Sequence, residues 1–538
     1  MSQIQSSINN FTFSYPNSSL TIQNLNLKLN SGDKIALIGS NGVGKTTILN
    51  QIWKRSFEND SSVSLAHRKA YFTQHLPKLD FNSQKITENY YDLLLEIFIK
   101  DQEQNHGKNL DFYPENFADW IMEIVAEPIT DFRSDLSVYL AAFRLIPSQL
   151  PSRFGLLSPG TQKKVLLSIL LASSPDLILA DELTNHLDKE AIQALGNIFE
   201  RVKTPILLID HNQSFLQAAV NQYIFIPDNK DRFPIHFKGS YKEFRAYLDE
   251  LQSQQTSQYN ALIREKKNLE AKSDDLQKLA RQYSESAKIG AMKRATARSL
   301  ENLENDPILG NADLSKSVKF KVQDQKGKIK ANLLCRSNLK DPLVFLVGQN
   351  KTQTIKDFEL YQGQRVRISG KNGIGKSTLV KSLFYQLQNG SQVGFDQYVS
   401  GAWDIGDKID RKAVFMLIQV TDYPDGQTLE NYLMDRTDID PYQFNHFLKS
   451  LELSKFSLNT FISNLSLGEF IRLQLGVMSK MLSDIRLIIL DEPGNFLDVF
   501  TQKALVEMLD KYRYSLLLIT HDDILADQIG FEREVRLS

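Results

Sequence analysis

Cysteine is almost absent from this chain, which has Cys335 as the only one among its 538 residues. A single cysteine excludes an internal disulfide framework and any metal site built from several thiolates. Glycine and proline are scarce, at 26 and 16 residues, which excludes a collagen-like or wholly disordered chain. An excess of charge is also missing, because 63 Lys or Arg residues face 64 Asp or Glu residues. Global charge therefore indicates no partner, and a surface for nucleic acid would have to be a local patch.

Long hydrophobic runs are missing too. The most apolar stretches lie near residues 165–180 and 485–491; serines and an aspartate interrupt the first, and the second is too short. Neither is the run of about 20 apolar residues that crosses a bilayer. The N-terminal residues show no basic segment followed by an apolar core, as a secretory signal would. We therefore expect a cytoplasmic protein without membrane insertion.

One set of motifs is present twice, in the same order. Residues 39–46 read Gly-Ser-Asn-Gly-Val-Gly-Lys-Thr and residues 370–377 read Gly-Lys-Asn-Gly-Ile-Gly-Lys-Ser, and both fit G-x-x-x-x-G-K-[ST]. An apolar run that ends in Asp-Glu at residue 182 recurs at residue 492, and a second apolar run ends in His211 and recurs before His521. The repetition predicts two homologous nucleotide-binding domains, at residues 1–240 and 331–538.

Each glycine-rich turn follows a short apolar strand and opens a helix, an arrangement in which backbone N–H groups and a helix N-terminus face phosphate. The lysine neutralises the β- and γ-phosphates, and the hydroxyl after it holds Mg²⁺. The residues predicted to bind ATP in this way are Gly39, Asn41, Gly42, Gly44, Lys45, Thr46 and Thr47 in the first copy and Gly370, Asn372, Gly373, Gly375, Lys376, Ser377 and Thr378 in the second.

Acidic pairs at the ends of two apolar strands suit a division of labour, in which the Asp binds Mg²⁺ and the Glu polarises the attacking water. The predicted catalytic residues are Glu182 and Glu492, with His211 and His521 as γ-phosphate contacts. The predicted metal ligands are Thr46, Gln74, Asp181, Ser377, Gln419 and Asp491. Gln74 and Gln419 also count among the nucleotide contacts, because a glutamine at a strand end can hold both Mg²⁺ and water.

Together these motifs resemble the ATP-binding-cassette superfamily, which carries a further L-S-G-G-Q/E motif before the acidic strand. Residues 157–161 read Leu-Ser-Pro-Gly-Thr and residues 465–469 read Leu-Ser-Leu-Gly-Glu, so both copies depart at the third position. We expect Ser158 to cap a helix whose first residue is Pro159, where a missing N–H is tolerated. The resemblance implies that the serine and glycine of each motif contact nucleotide held by the opposite cassette.

The head-to-tail pairing of this superfamily implies two composite sites within one chain, and hence a monomer. Site 1 is defined by Lys45 and Glu182 with Ser466 and Gly468. Site 2 is defined by Lys376 and Glu492 with Ser158 and Gly160. We expect site 2 to hydrolyse more slowly, because Pro159 lacks a donor that could face phosphate. Tyr15 is predicted to stack on adenine.

Residues 181–188 read Asp-Glu-Leu-Thr-Asn-His-Leu-Asp and resemble the D-E-P-T-N-H-L-D string of the ABC-F subfamily, with a looser copy at residues 491–498. The resemblance implies an α/β fold of two tandem P-loop cassettes joined by an antiparallel helical hairpin, here at residues 241–330. It also implies a cytosolic ATPase that acts on the ribosome through this linker, as a translation factor or as an antibiotic ribosomal-protection protein. The alternative is the ATP-binding subunit of an exporter whose membrane domains lie on another chain.

The linker sequence is basic and helical in pattern. Leu262, Leu269 and Leu276 are spaced by seven, and neither Pro nor Gly interrupts residues 241–288. We expect a turn at Gly290. Residues 261–300 carry ten Lys or Arg and five Asp or Glu, which suits contact with rRNA or tRNA phosphates, a solvated face or a protein partner.

The first half also has a longer, acidic segment between its glutamine and its serine motif. Residues 91–150 hold eleven Asp or Glu against four Lys or Arg. We expect an enlarged helical subdomain there, with an arm insertion of the ABC-F kind as the other reading.

Overall fold

Two α/β cassettes with a helical hairpin between them make up the structure, a computed structural model. It describes residues 4–14, 21–56, 60–66, 68–72, 77–81, 131–146, 157–172, 174–227, 231–282, 287–304, 320, 332–337, 343–347, 351–355, 358–389, 399–400, 403–406, 413–417, 426–495 and 497–537. The expected fold class, α/β with two tandem cassettes, is confirmed.

The first cassette contains strands β1 to β11. They are β1 (Ile4–Ser14), β2 (Thr21–Asn30), β3 (Lys34–Ile38), β4 (Val63–Ser64), β5 (Arg68–Phe72), β6 (Pro77–Phe81), β7 (Leu177–Asp181), β8 (Ile206–Ile209), β9 (Gln222–Phe225), β10 (Asp231–Arg232) and β11 (Ile235–Lys238). Its described helices are α1 (Lys45–Arg55), α2 (Asp131–Ala142), α3 (Pro159–Ala172), α4 (Lys189–Arg201) and α5 (Gln213–Ala219).

The second cassette contains strands β12 to β22. They are β12 (Leu333–Ser337), β13 (Leu343–Val347), β14 (Lys351–Ile355), β15 (Glu359–Tyr361), β16 (Arg365–Ser369), β17 (Val399–Ser400), β18 (Trp403–Ile405), β19 (Val414–Leu417), β20 (Leu487–Asp491), β21 (Ser515–Ile519) and β22 (Arg533–Arg536). After the linker helices α6 (Tyr241–Gln282) and α7 (Ala287–Glu304), the described helices of this cassette are α8 (Lys376–Asn389), α9 (Leu429–Arg436), α10 (Phe444–Ser450), α11 (Leu467–Met481), α12 (Val499–Asp510) and α13 (Asp523–Ile529), with short 3₁₀ helices at Pro441–Gln443 and Ile462–Asn464.

Both central sheets have the same parallel strand order. In the first cassette the order is β9-β3-β8-β7-β5, and in the second it is β22-β16-β21-β20-β19. The strand before each glycine turn therefore lies beside the strand before the histidine, which lies beside the acidic strand. Since the carboxyl ends of parallel strands meet at one edge of a sheet, the order brings the three motifs of each cassette together.

The central strands are mostly apolar because both faces of each sheet are covered. In the first cassette α3, α4 and α5 cover one face, and α1 with the strands β1 and β2 covers the other. Every residue of β3, β7, β8, β20 and β21 is buried. Burying a Leu or Ile side chain contributes roughly 1.5–3 kcal/mol. These strands are therefore a rigid base for the loops at their ends.

Short polar side chains fix where the helices near these loops begin. Asp188 caps α4 and Asp498 caps α12, each by accepting from the N–H three residues on. Ser466 caps α11, where Glu469 completes a capping box. Ser158 Oγ accepts from the N–H of Thr161 at 3.2 Å, and α3 begins at Pro159. The expected Ser158 cap with proline at the first helical position is confirmed.

The linker consists of α6 (Tyr241–Gln282), which has 42 residues, and α7 (Ala287–Glu304). The two helices pack against each other, and Leu276 of α6 is buried. The expected turn at Gly290 is wrong, since Gly290 lies inside α7. A glycine in an exposed helix costs only about 1 kcal/mol relative to alanine, so packing of the hairpin overrides it.

Candidate active sites at the cassette interface

The two glycine-rich turns have the same backbone conformation. Gly42 and Gly44 have φ angles of 81° and 95°, and their counterparts Gly373 and Gly375 have 75° and 94°. These values lie in the left-handed region, which glycine adopts at little cost. Helices α1 and α8 start directly after Gly44 and Gly375, and a glycine cannot cap a helix with a side chain. The first N–H groups of each helix therefore receive no side-chain cap from the residue before it, an arrangement that suits anion binding.

The lysine of each turn folds back over its own loop. Lys45 Nζ donates to two loop carbonyls at 2.8 and 3.0 Å, and Lys376 Nζ does so at 2.9 and 3.0 Å. Both lysines are buried, and burial lowers the pKa of each, while the nearby carboxylates raise it. A buried ammonium gains strongly from an anion placed beside it, so both loops fit a phosphate group.

The two glutamates after the acidic strands share an unusual backbone. Glu182 has a φ of 54° and Glu492 has 49°, although neither is a glycine. The N–H of each donates to the last residue of the neighbouring strand, at 2.7 Å to Ile209 and 2.8 Å to Ile519. Left-handed backbone at a non-glycine residue costs of the order of 1–3 kcal/mol and recurs at functional sites.

Several buried carboxylate oxygens have no hydrogen-bond partner among the described residues. They are Oδ1 of Asp181, both oxygens of Asp491, and Oε1 of Glu492. Burial raises the pKa of Asp181 and Asp491, and burial together with the Asp491 charge raises the pKa of Glu492 to about 7. Such oxygens are costly unless they meet a cation or a donor. This donor set fits Mg²⁺, which prefers oxygen ligands and keeps several waters.

The two predicted γ-phosphate contacts, His211 and His521, are both held in the neutral form. Burial, with the lysine of the same cassette, lowers the pKa of His211 and of His521 to about 3. His521 Nδ1 accepts from the backbone N–H of Lys189 in the other cassette at 3.2 Å. Its Nε2 therefore carries the proton and lies 2.9 Å from Asn372 Oδ1. A neutral imidazole with a proton on Nε2 can donate to an oxygen in this site.

Site 2 is assembled from both cassettes. A cavity of about 430 Å³ lies between the N-terminus of α3 and the second glycine turn, and it includes the residues Ser158, Gly160, Asn372, Gly373, Gly375, Lys376, Ser377, Thr378, Asp491, Glu492 and His521. Asn372 Nδ2 donates to the carbonyl of His186 across the interface at 2.6 Å. A Cβ on Gly160 would lie 2.3 Å from that carbonyl and 3.2 Å from Asn372 Nδ2. The structure therefore brings the predicted members of site 2 together.

Site 1 is closed by a direct contact between the cassettes. The N–H of Asn41 in the first glycine turn donates to Asp498 Oδ2 at 2.7 Å, while Asp498 Oδ1 caps α12. Arg472, in the helix that Ser466 caps, is close enough for its charge to lower the pKa of Lys45. Gly468 lies in the first turn of that same helix. Helix α11, which Ser466 caps, thus lies near the first glycine turn.

Sequence reasoning missed the residues that cross the interface. Asp498 and Lys189 contact the opposite cassette, and Lys189 Nζ also pairs with Asp523 at 2.7 Å. Asn185 donates to Glu182 Oε2 at 2.5 Å. The signal for Asp188 and Asp498 was available, since each ends the repeated acidic string directly before a helix. Tyr15, Gln74, Gln419 and most of residues 91–150 lie outside the described residues.

Within the described part of the chain, no helix combines the length and the apolar character needed to cross a membrane. In the same residues, no cluster of three or more His, Cys, Asp or Glu side chains forms a metal site by itself.

The family model described as "ABC transporter" matches this chain twice, at residues 22–185 and 355–495. The two matches fall on the two cassettes and together cover more than half of the chain. The protein belongs to the ABC transporter family, and its paired cassettes make it an ATP hydrolase of that family.

Among relatives, the ABC transporter F family member 2 of Arabidopsis thaliana is 24% identical over 94% of this chain and 73% of its own. The ribosome protection protein VmlR of Bacillus subtilis is 24% identical over 93% of this chain and 81% of its own. The archaeal ribosome recycling factor aABCE1, solved with the stalk protein aP1, has a TM-score of 0.54 and 16% identity, over 99% of this chain and 87% of that one. The last likeness concerns the fold alone. The resemblance to the ABC-F subfamily is confirmed.

Proposed function

We propose that this protein is a cytosolic ATPase that closes on two MgATP molecules and acts on the ribosome through its helical linker. The observation that carries the proposal is site 2, where the N-terminus of α3 from one cassette and the glycine turn of the other enclose a single cavity. Nucleotide bound there would contact both halves of the chain. Binding would therefore stabilise the closed pairing, and hydrolysis would release it.

The residues have the following proposed roles. The backbone N–H groups of the glycine turns, with Lys45 and Lys376, hold the β- and γ-phosphates. Thr46 and Ser377, together with Asp181 and Asp491, would hold Mg²⁺, which lowers the charge on the phosphates when bound. Glu182 and Glu492 orient the attacking water and accept its proton. His211 and His521 donate to the γ-phosphate, and the serine-headed helices complete each site from the opposite cassette.

The linker base is positioned to report closure. Phe244 of α6 packs in the core of the first cassette and stacks on Tyr223, with ring centroids 4.5 Å apart. On its other side, Arg245 donates to the carbonyl of Val499 at 3.2 Å, and Val499 directly follows Asp498. Asp498, which contacts the first glycine turn, thus caps α12, and the first residue of α12 contacts the linker helix α6. Separation of the cassettes at site 1 would remove this support from α6.

The ribosome is the proposed partner because the linker is basic, because the subfamily is ABC-F, and because VmlR is a ribosome protection protein. Basic side chains on a long hairpin suit contact with RNA phosphates, which makes binding depend strongly on salt.

Sedimentation of the Glu182→Gln/Glu492→Gln variant with cell extract and ATP tests this function. We expect the protein to travel with ribosomes on a sucrose gradient. Its apparent dissociation constant for ribosomes should rise at least about tenfold when the salt concentration rises from about 50 to about 200 mM. ADP in place of ATP is the control and should leave the protein near the top. Sedimentation with the membrane fraction would favour the exporter alternative. Absence of co-sedimentation with ribosomes at low salt would contradict the proposal.

A further inference from the structure

The two cassettes differ at three equivalent positions directly beneath their catalytic loops. The first cassette has Lys163, Thr184 and Asp210, which lie five residues after Ser158, two after Glu182 and one before His211. The second has Ile471, Gly494 and Thr520 at the corresponding positions. One cassette thus has a polar, charged trio where the other has an apolar residue, a glycine and a neutral hydroxyl.

Lys163 lies on α3 and points beneath the acidic strand. Its Nζ donates to the backbone carbonyl of Glu182 at 2.5 Å, and the residue is only 7% exposed. The Phe72 ring lies 5.6 Å from this ammonium. A buried lysine is costly unless carbonyls and carboxylates surround it, and here Asp210, Glu182 and Asp181 supply the negative charge.

Asp210 connects the turn after Glu182 with the loop that contains His211. Its Oδ1 accepts from the Thr184 hydroxyl at 2.6 Å and from the N–H of Asn212 at 2.9 Å, and its Oδ2 accepts from the N–H of Thr184 at 3.0 Å. The carboxylate therefore bonds the turn that follows Glu182 and the loop that contains His211. Lys163 bonds the Glu182 turn to α3, the helix that also supplies Ser158 to site 2, and its ammonium lies close enough to Asp210 for the two charges to interact.

The second cassette is built differently at this point. Ile471 is buried in an apolar cluster, and Thr520 Oγ1 accepts from the N–H of Asp522 at 3.2 Å, as Asp210 does from Asn212. A Cβ on Gly494 would lie 2.7 Å from Leu525, whose side chain fills the space near that turn. A buried cation is present here too, but it is Arg367 from β16, which donates to the carbonyl of Thr520 and to Asp523.

We propose that Lys163, with Asp210 and Thr184, is a positioning residue that holds the strained Glu182 turn and the His211 loop in register, so that site 1 is preorganised for hydrolysis in a way that site 2 is not. The inference rests on the proposed roles of Glu182 and His211. Lys163 acts through the Glu182 carbonyl. Its removal should therefore slow the chemical step at site 1 without weakening nucleotide binding.

The test is the Lys163→Ile/Asp210→Thr variant, which installs the residues of the second cassette at two of the three positions and removes the buried ammonium together with the Asp210 carboxylate. Single-turnover hydrolysis is measured in the Glu492→Gln background, where site 1 reports, and in the Glu182→Gln background, where site 2 reports. We expect an approximately tenfold slower rate at site 1, an ATP dissociation constant within about twofold of the parent, and no change at site 2. A purely structural role would instead lower the melting temperature and slow both sites.

Two further variants keep the inference falsifiable. Lys163→Met retains the aliphatic stem and replaces the double variant if that one does not fold, while Lys163→Arg retains a buried donor and should recover most of the rate at site 1. A site 1 rate within about twofold of the parent in Lys163→Met, or equal losses at both sites, would overturn the inference. Turnover that persists in Glu182→Gln/Glu492→Gln would instead overturn the proposed function, so the two failures are distinguishable.

Discussion

Replacing both catalytic glutamates, in the Glu182→Gln/Glu492→Gln variant, is expected to lower steady-state ATP turnover by at least about 100-fold. The amide has nearly the same shape as the carboxylate but cannot accept a proton from the attacking water. ATP binding should persist, because the phosphate contacts come from the glycine turns and their lysines. Phosphate release measures the turnover, and retention of labelled ATP measures the binding.

The control for this variant is Glu200→Gln/Glu532→Gln, which changes one exposed glutamate in each cassette and should keep turnover within about twofold of the wild type. Loss of ATP binding together with turnover would show that the glutamates support the fold of the site rather than the chemistry. Unchanged turnover would remove both residues from the mechanism.

Alanine at Gly160 is expected to have the second largest effect, a loss of at least about tenfold in hydrolysis at site 2. The new Cβ would meet the His186 carbonyl at 2.3 Å, a distance that forces the N-terminus of α3 away from its neighbouring loop. It would also crowd Asn372 of the other cassette. Single-turnover hydrolysis in the Glu182→Gln background measures this site alone.

Gly290→Ala is the matched control, because a Cβ there meets nothing within 4 Å and alanine favours the exposed helix in which it lies. It should hydrolyse ATP at the wild-type rate. If Gly160→Ala also hydrolyses at that rate at site 2, then α3 does not approach the second glycine turn during turnover. That result would leave site 1 as the composite site of the molecule.

Much of the fold follows from the sequence, because each cassette repeats its motifs on apolar strands of matching length. The strands before the glycine turns, the acidic strands and the Ser158 cap all lie where their patterns predict them. The turn at Gly290 is the exception. Glycine disfavours a helix only weakly, and packing between the two linker helices outweighs that cost. The sequence pattern does not reveal this packing.

The contacts across the interface could not be predicted in the same way. The repeated string suggests that Asp498 caps a helix, but nothing in its spacing indicates that it also accepts from Asn41, 457 residues earlier in the chain. The same holds for Lys163, because a lysine in a helix is usually a surface residue, and only the structure shows that this one is buried and donates to the Glu182 carbonyl. The left-handed backbone of Glu182 likewise follows from the neighbouring strands rather than from its residue type.

The most direct test of the central claim, closure of the two cassettes on ATP, is a distance measurement between spin labels at Asn50→Cys and Tyr442→Cys. Both positions are exposed; Asn50 lies on α1 after the first glycine turn, and Tyr442 lies in the helical part of the second cassette. Cys335 is buried, so the labels attach to the introduced cysteines. In the Glu182→Gln/Glu492→Gln background, we predict a short, narrow distance distribution with MgATP and a longer, broader one with ADP. Identical distributions with the two nucleotides would contradict the account.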